Sequence, residues 1–272
     1  MIKKIACILG GFLLFISTSF SAPQKNIWSF WNISNKNSFD TISHQTYQEF
    51  LNRYLFKGAN GVNQVRYSKV TTKDRQALNQ YIQKLTSLPI RSFNKQEQLA
   101  YWINLYNALT IQLILKHWPV ESITRINISP GFFSFGPWDA PLATIEGQKI
   151  TLNDIEHRIL RPIWNTPLLH YTLNCASMSC PQLQAQVFTA KNSQELMRNA
   201  AREYVNSPYG VQVESNHLRL SKIYQWYQKD FGVNESQVLK HIAGFAKPEL
   251  KKQLLNKQQS IAYYYNWNIN GR

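Results

Sequence analysis

The stretch from Gln98 to Leu115 carries no charged residue over eighteen consecutive positions. A run of that length either approaches a membrane span or lies at the centre of a core. Leu99, Ile103, Tyr106, Thr110 and Leu113 follow the alternating four-and-three spacing of one helix face, with Trp102 and Ile114 beside them. Gln98, Asn104, Asn107 and Gln112 interrupt the remainder. Four amides suit a buried helix that has partners for them better than a lipid-facing one. The spacing therefore predicts a core helix from about Lys95 to His117, stopped by Pro119.

The whole chain has 272 residues, room for one large domain or two small ones at roughly 150 residues each. Apolar residues make up 44% and charged residues 17%, which supplies a core and excludes disorder of the whole chain. Residues 1–21 have a separate character. Lys3 and Lys4 precede an apolar run from Ile5 to Ile16, and Ser19 and Ser21 stand before Ala22. This is the pattern of a secretory signal peptide, and the run is short for the alternative, an uncleaved anchor. Removal takes Cys7 away and leaves Cys175 and Cys180. The expected location is periplasmic or secreted, with no integral membrane segment after signal removal. Lys and Arg total 30 against 15 acids, a net +15, but they are scattered and form no nucleic-acid motif. Anionic envelope components are therefore the expected partners, and nucleic acid is not.

Residues 22–40 read as a loose leader, and 44–56 as a helix. Thr72 caps a helix from Lys73 to Leu85. A hairpin turns at Glu146-Gly147-Gln148, and Thr151 with Asp154 opens a helix through Leu160. Leu168 to Leu173 reads as a strand running into Asn174-Cys175. A helix spans Ser193 to Val205, a second hairpin surrounds Asn216, further helices lie at about 221–229, 234–245 and 248–257, and the aromatic tail from Ile261 to Ile269 is extended. The expected fold is α+β: a helix-rich single domain around a small antiparallel sheet, with a buried central helix.

Reactive side chains are densest between 154 and 181. Asp154, Glu156 and His157 share one helical turn with Arg161 just beyond, and His170 precedes Cys175-Ala176-Ser177-Met178-Ser179-Cys180. The two cysteines admit a disulfide closing a tight loop, a nucleophilic thiol at Cys175 with His170 or His157 as base, or Cys2His2 zinc with those histidines. The spacing matches no zinc finger, so neither metal nor cofactor is expected. Glu156 is either a carboxylate held by Arg158 or Arg161, or a general acid or base; of the adjacent pair Glu156-His157, one is expected to face the core and the other solvent. Asn104 and Asn107 either bond loop backbone or offer polar contacts in a ligand pocket with Trp138 and Arg161. Trp138 closes the aromatic loop 131–138.

Tyr101-Trp102-Ile103-Asn104-Leu105-Tyr106-Asn107-Ala108, Ile155-Glu156-His157 with Arg161, His170 through Cys175, Ser179-Cys180-Pro181, Ser221 with Trp226-Tyr227 and Asp230-Phe231-Gly232, and Tyr265-Asn266-Trp267 occur in this order. Together they resemble the bacterial branch of the domain-of-unknown-function family 547. The resemblance covers roughly 65–270, leaving 22–64 as leader and N-terminal helix. Family members often carry Asp where this chain has Asn266. The resemblance implies a domain and a motif list, not a reaction. Two functions remain open: a disulfide-stapled binding or accessory module of the cell envelope, and a cysteine-dependent hydrolase or acyl transferase on peptide-like envelope substrates.

Overall fold

A computed structural model describes residues 23–131, 135–215, 217–256 and 260–272. The segment 1–21 expected to be a signal peptide, positions 132–134 of the aromatic loop, and Asn216 of the second hairpin lie outside the described residues. Helix α1 (Gln45–Tyr54) leads into the hairpin β1 (Leu55–Lys57) and β2 (Asn63–Val65). Helix α2 (Thr72–Thr86) starts one residue earlier than the sequence suggests, because the Thr71 hydroxyl accepts from the Asp74 N–H and is its cap.

Helix α3 (Lys95–His117) is the centre of the molecule. Asn94 caps it by accepting from the Gln96 and Glu97 N–H groups. Every residue from Glu97 to Ile111 is buried, so the helix is enclosed on all sides rather than on one face. Its amides explain how. Gln98 donates to the carbonyls of Ile33, Ile90 and Phe93. Asn104 pairs both ways with the Phe188 backbone. Asn107 donates to Thr172 O and accepts from Asn174 N–H. Gln112 donates to Asn79. No helix among the described residues is long and apolar enough to cross a membrane.

Strands β3 (Ala143–Ile145) and β4 (Gln148–Ile150) form the expected hairpin, with Glu146 and Gly147 both at positive φ as such a two-residue turn demands. A π-helical turn (Asp154–Leu160) runs into the short helix α4 (Arg161–Trp164). The expected strand at 168–173 is instead a 3₁₀ turn (Pro167–Tyr171), capped by the Thr166 hydroxyl on Leu168 N–H. Leu169, His170 and Tyr171 are consecutively buried, so the segment is enclosed without alternating faces. Helix α5 (Ser193–Val205) precedes β5 (Val211–Val213) and β6 (His217–Ser221). Helices α6 (Lys222–Trp226), α7 (Gln228–Phe231), α8 (Glu235–Ala243) and α9 (Pro248–Leu254) follow. Strand β7 (Ser260–Tyr264) returns parallel to β6, a pairing the long helical crossover permits and which departs from a purely antiparallel sheet. The result is a helix-rich α+β fold.

The leader is packed, not loose. Trp31 is buried and meets Trp102 edge-on at 5.1 Å. Its anchoring follows from the π turn. The Arg161 N–H bonds Glu156 O, five residues back, which frees His157 O, and Pro162 has no N–H to offer Arg158 O. Asn26 N–H donates to His157 O at 3.2 Å, and Trp28 N–H to Arg158 O at 2.9 Å. Two orphaned carbonyls thus bind the leader to the segment that bears Glu156 and His157.

Candidate active site

A cleft of about 360 Å³ is lined by Glu156, His157, His170, Cys175, Cys180 and Trp138, among others. Six sequence candidates therefore converge. Arg161 lies behind the lining, and Asn104 and Asn107 are spent on loop backbone rather than on a pocket.

Cys175 sits on a loop fixed at both ends. Asn107 Oδ1 accepts from Asn174 N–H, and Asn174 Oδ1 accepts from Ala176 N–H and from Asn270 Nδ2. Ala176 adopts a φ of 60°, a left-handed conformation costly for a residue with a Cβ. That twist folds the chain so that the Ser177 N–H returns to the Cys175 sulfur. The C-terminal tail holds the loop from outside: Met178 N–H donates to Asn268 O, and Asn266 N–H to the Ser179 hydroxyl. This delivers the Tyr265 hydroxyl to 3.3 Å from Cys175 Sγ, the same distance as the Ser177 hydroxyl.

The two cysteines are free thiols rather than the expected disulfide. They are nonetheless one unit, since Cys175 N–H donates to Cys180 Sγ at 2.8 Å. Burial alone would push the Cys175 thiol up. Hydrogen bonds from Cys180, Ser177 and Tyr265 outweigh it and bring it down to about 6. Burial and the neighbouring Cys175 push Cys180 well above the ordinary thiol range, so it keeps its proton.

The π turn carries the second group. A π turn advances by a smaller angle per residue than an α-helix, so adjacent side chains point more nearly together. Glu156 and His157 accordingly both line the cleft, where core and solvent had been expected to divide them. Neither candidate arginine holds Glu156: Arg158 pairs with Asp154 at 2.8 Å, and Arg161 with Asp230 at 2.7 Å. Among the described residues no lysine or arginine stands at ion-pair distance from Glu156. Burial raises its carboxyl to about 7; Arg161 opposes the rise, Cys175 adds to it, and hydrogen bonds from Tyr227 and Tyr106 oppose it.

Both histidines are buried and neutral, with burial lowering His170 to about 4 and His157 well below its usual range. His170 Nε2 donates to Asp230 Oδ2 at 2.7 Å, which turns its Nδ1 lone pair toward Glu156 Oε1 at 3.7 Å. His157 Nδ1 accepts from Arg161 at 2.8 Å. Asp230 gathers His170, Arg161 and Lys25, and is held far below the usual carboxylate range despite its burial. Among the described residues no group of three or more His, Cys, Asp or Glu is arranged to hold a metal ion.

Trp138 forms an aromatic wall with Trp267 at 5.8 Å and Phe135 at 6.3 Å, continued by Trp226 against Trp267 at 5.7 Å. A Cβ on Gly136 would lie 2.1 Å from the Trp138 ring, so this turn requires glycine. Asp230, Tyr265, Tyr227 and Lys25 were not among the sequence candidates. The Trp226-Tyr227, Asp230-Phe231-Gly232 and Tyr265-Asn266-Trp267 motifs carried the signal for all but Lys25.

Residues 90–205 match the family model described as "Protein of unknown function, DUF547". The match supports placing this segment in that family. It contains α3, the π turn and both cysteines, whereas Asp230, Tyr265 and Trp267 lie beyond it. Searches of curated proteins and of solved structures gave no match.

Proposed function

We propose that the chain is a cysteine-dependent acyl-transfer enzyme, a hydrolase or acyl transferase, acting on peptide-like material of the cell envelope. The observation that carries this reading is the free Cys175 sulfur, met by donors from Ser177 and Tyr265, in one cleft with a Glu156 whose carboxyl burial raises to about 7, so that it is partly protonated at neutral pH. The Cys175 thiolate attacks a substrate carbonyl carbon, forming a C–S bond. The leaving group departs with the Glu156 proton and leaves an acyl thioester. The Glu156 carboxylate then takes a proton from water or an acceptor amine, which attacks the acyl carbon and releases the thiolate. Glu156 takes the acid–base role here rather than His170 or His157, because Asp230 and Arg161 already engage their rings.

Export and a bacterial envelope setting belong to the same proposal and rest on residues 1–21 and the family motifs. A mature N-terminal peptide beginning at Ala22 in mass spectra of the envelope fraction checks that part. The aromatic wall supports a second reading, a binding module whose ligand stacks on Trp138 and Trp267.

The deciding experiment exposes reduced protein to p-nitrophenyl acetate. A burst of p-nitrophenolate with an acetyl group on Cys175 is expected, lost in Cys175→Ser and retained in Cys180→Ser. Folded, reduced protein that acquires no acetyl group at Cys175 refutes the proposal.

A further inference from the structure

The acyl-transfer reading uses one thiol of a pair, and the second has no part in it. Cys180 lines the same cleft, accepts the Cys175 N–H at 2.8 Å and holds its sulfur 3.5 Å from Leu173 O. Its loop closes on itself, with Cys180 N–H donating to Ser177 O at 3.1 Å. The left-handed Ala176 between them brings positions 175 and 180 together. A thiolate beside a protonated thiol, both reached from one cleft, is the arrangement in which oxidation of the first is resolved by the second.

We propose that Cys175 and Cys180 form an oxidisable dithiol: a hydroperoxide converts Cys175 to a sulfenic acid, and Cys180 resolves it to a reversible disulfide that switches the nucleophile off. The inference rests on the thiolate character of Cys175 assigned above. In the first step the thiolate attacks one peroxide oxygen, the O–O bond breaks, and the departing alkoxide takes up a proton to leave as alcohol, or as water from hydrogen peroxide. In the second step the Cys180 sulfur attacks the Cys175 sulfur, the S–O bond breaks, and hydroxide leaves with the Cys180 proton as water. The dithiol gives two electrons and the peroxide accepts them. The disulfide expected from sequence is then the oxidised end of the same pair. A bond of about 2.05 Å requires only that two side chains already in contact close up.

Reduced full-length protein is treated with hydrogen peroxide in the presence of dimedone, which traps sulfenic acids, and its intact mass and tryptic peptides are read. Wild type should lose two hydrogens, with the loss on the single tryptic peptide that carries both Cys175 and Cys180, and carry no dimedone. Its Cys175 alkylation by iodoacetamide should fall at least tenfold and return with dithiothreitol. Cys180→Ser, or Cys180→Ala if the serine variant melts early, should instead carry dimedone on Cys175. Wild type with a dimedone-trapped or sulfinic Cys175 and no disulfide overturns the inference while leaving a fast-alkylating, acylatable Cys175 intact. A reduced Cys175 that alkylates quickly and forms the disulfide, yet takes no acetyl group from p-nitrophenyl acetate, removes the acyl-transfer reading and keeps the dithiol.

Discussion

On the loop side of the cleft, the Cys175 sulfur is met by the Ser177 N–H, the Ser177 hydroxyl and the Tyr265 hydroxyl. On the helix side, Glu156 is as deeply enclosed but has two ring nitrogens 3.7 and 3.9 Å away, a long contact from Tyr106 at 3.5 Å and a hydrogen bond from Tyr227. Burial is common to both, yet it prevails only at Glu156. Asp230 sharpens the contrast, because it stands across His170 from Glu156, collects three donors and stays ionised. The number of donors aimed at a group, rather than its depth, decides which acid in this cleft keeps its proton. The outcome is a thiol that ionises readily beside a carboxyl that does so reluctantly, which is the pairing acyl transfer needs.

Glu156→Gln separates the two sides most strongly. The amide matches the carboxyl in shape but cannot deliver a proton to a leaving group. Acyl turnover should fall by about 10²–10⁴, the usual worth of a general acid–base group. Iodoacetamide alkylation needs no leaving-group proton, so its rate at Cys175 below pH 7 should not change. Equal losses in both assays would mean that the sides do not divide the work.

Tyr265→Phe tests the loop side alone. Removing one hydrogen bond to a charged group costs about 1.5–3 kcal/mol, which raises the Cys175 pKa by about 1 to 2. The inflection in the pH profile of alkylation should move upward from about 6, slowing alkylation at pH 6 by about five- to fiftyfold. An unmoved inflection would show that Tyr265 does not stabilise the thiolate.

The same division between local and distant causes governs what could be read from the sequence. Helix α3, the Glu146-Gly147 hairpin and the mutual Thr151–Asp154 cap were legible because each is written within a few neighbouring residues. Residue types near the thiol were legible too, since Glu156, His157, His170, Cys175 and Cys180 lie close in the chain. The π turn was not, because it depends on Pro162 together with backbone donors from Asn26 and Trp28, some 130 residues earlier. Nor could spacing show that Tyr265 reaches Cys175 across ninety positions, or that Asp230 orients His170 across sixty. The 3₁₀ segment at Pro167–Tyr171 misled for a related reason: a run buried all round has the composition of a strand without its alternation.

The smallest expected effect concerns stability against pH. His44 and His170, buried, and His241, mostly buried, are each lowered to about 4 in the folded chain from 6.5, and His157 is lowered as well. Between those values the unfolded chain binds more protons at these sites than the folded one, so stability rises with pH through that window. Glu156 acts in the opposite sense. Raised from 4.5 to about 7, it keeps its proton when folded after the unfolded chain has lost it, which takes stability away as pH climbs over that range. Glu97, likewise raised by burial, acts in the same sense as Glu156, but four imidazoles outweigh two carboxyls, so the melting temperature should rise from pH 4.5 to 6.5. Glu156→Gln removes one of the opposing contributions and should steepen that rise by a few degrees. Thermal melts of both proteins across this range give the comparison directly, and a variant profile shallower than wild type would mean that the folded Glu156 is ionised with the rest.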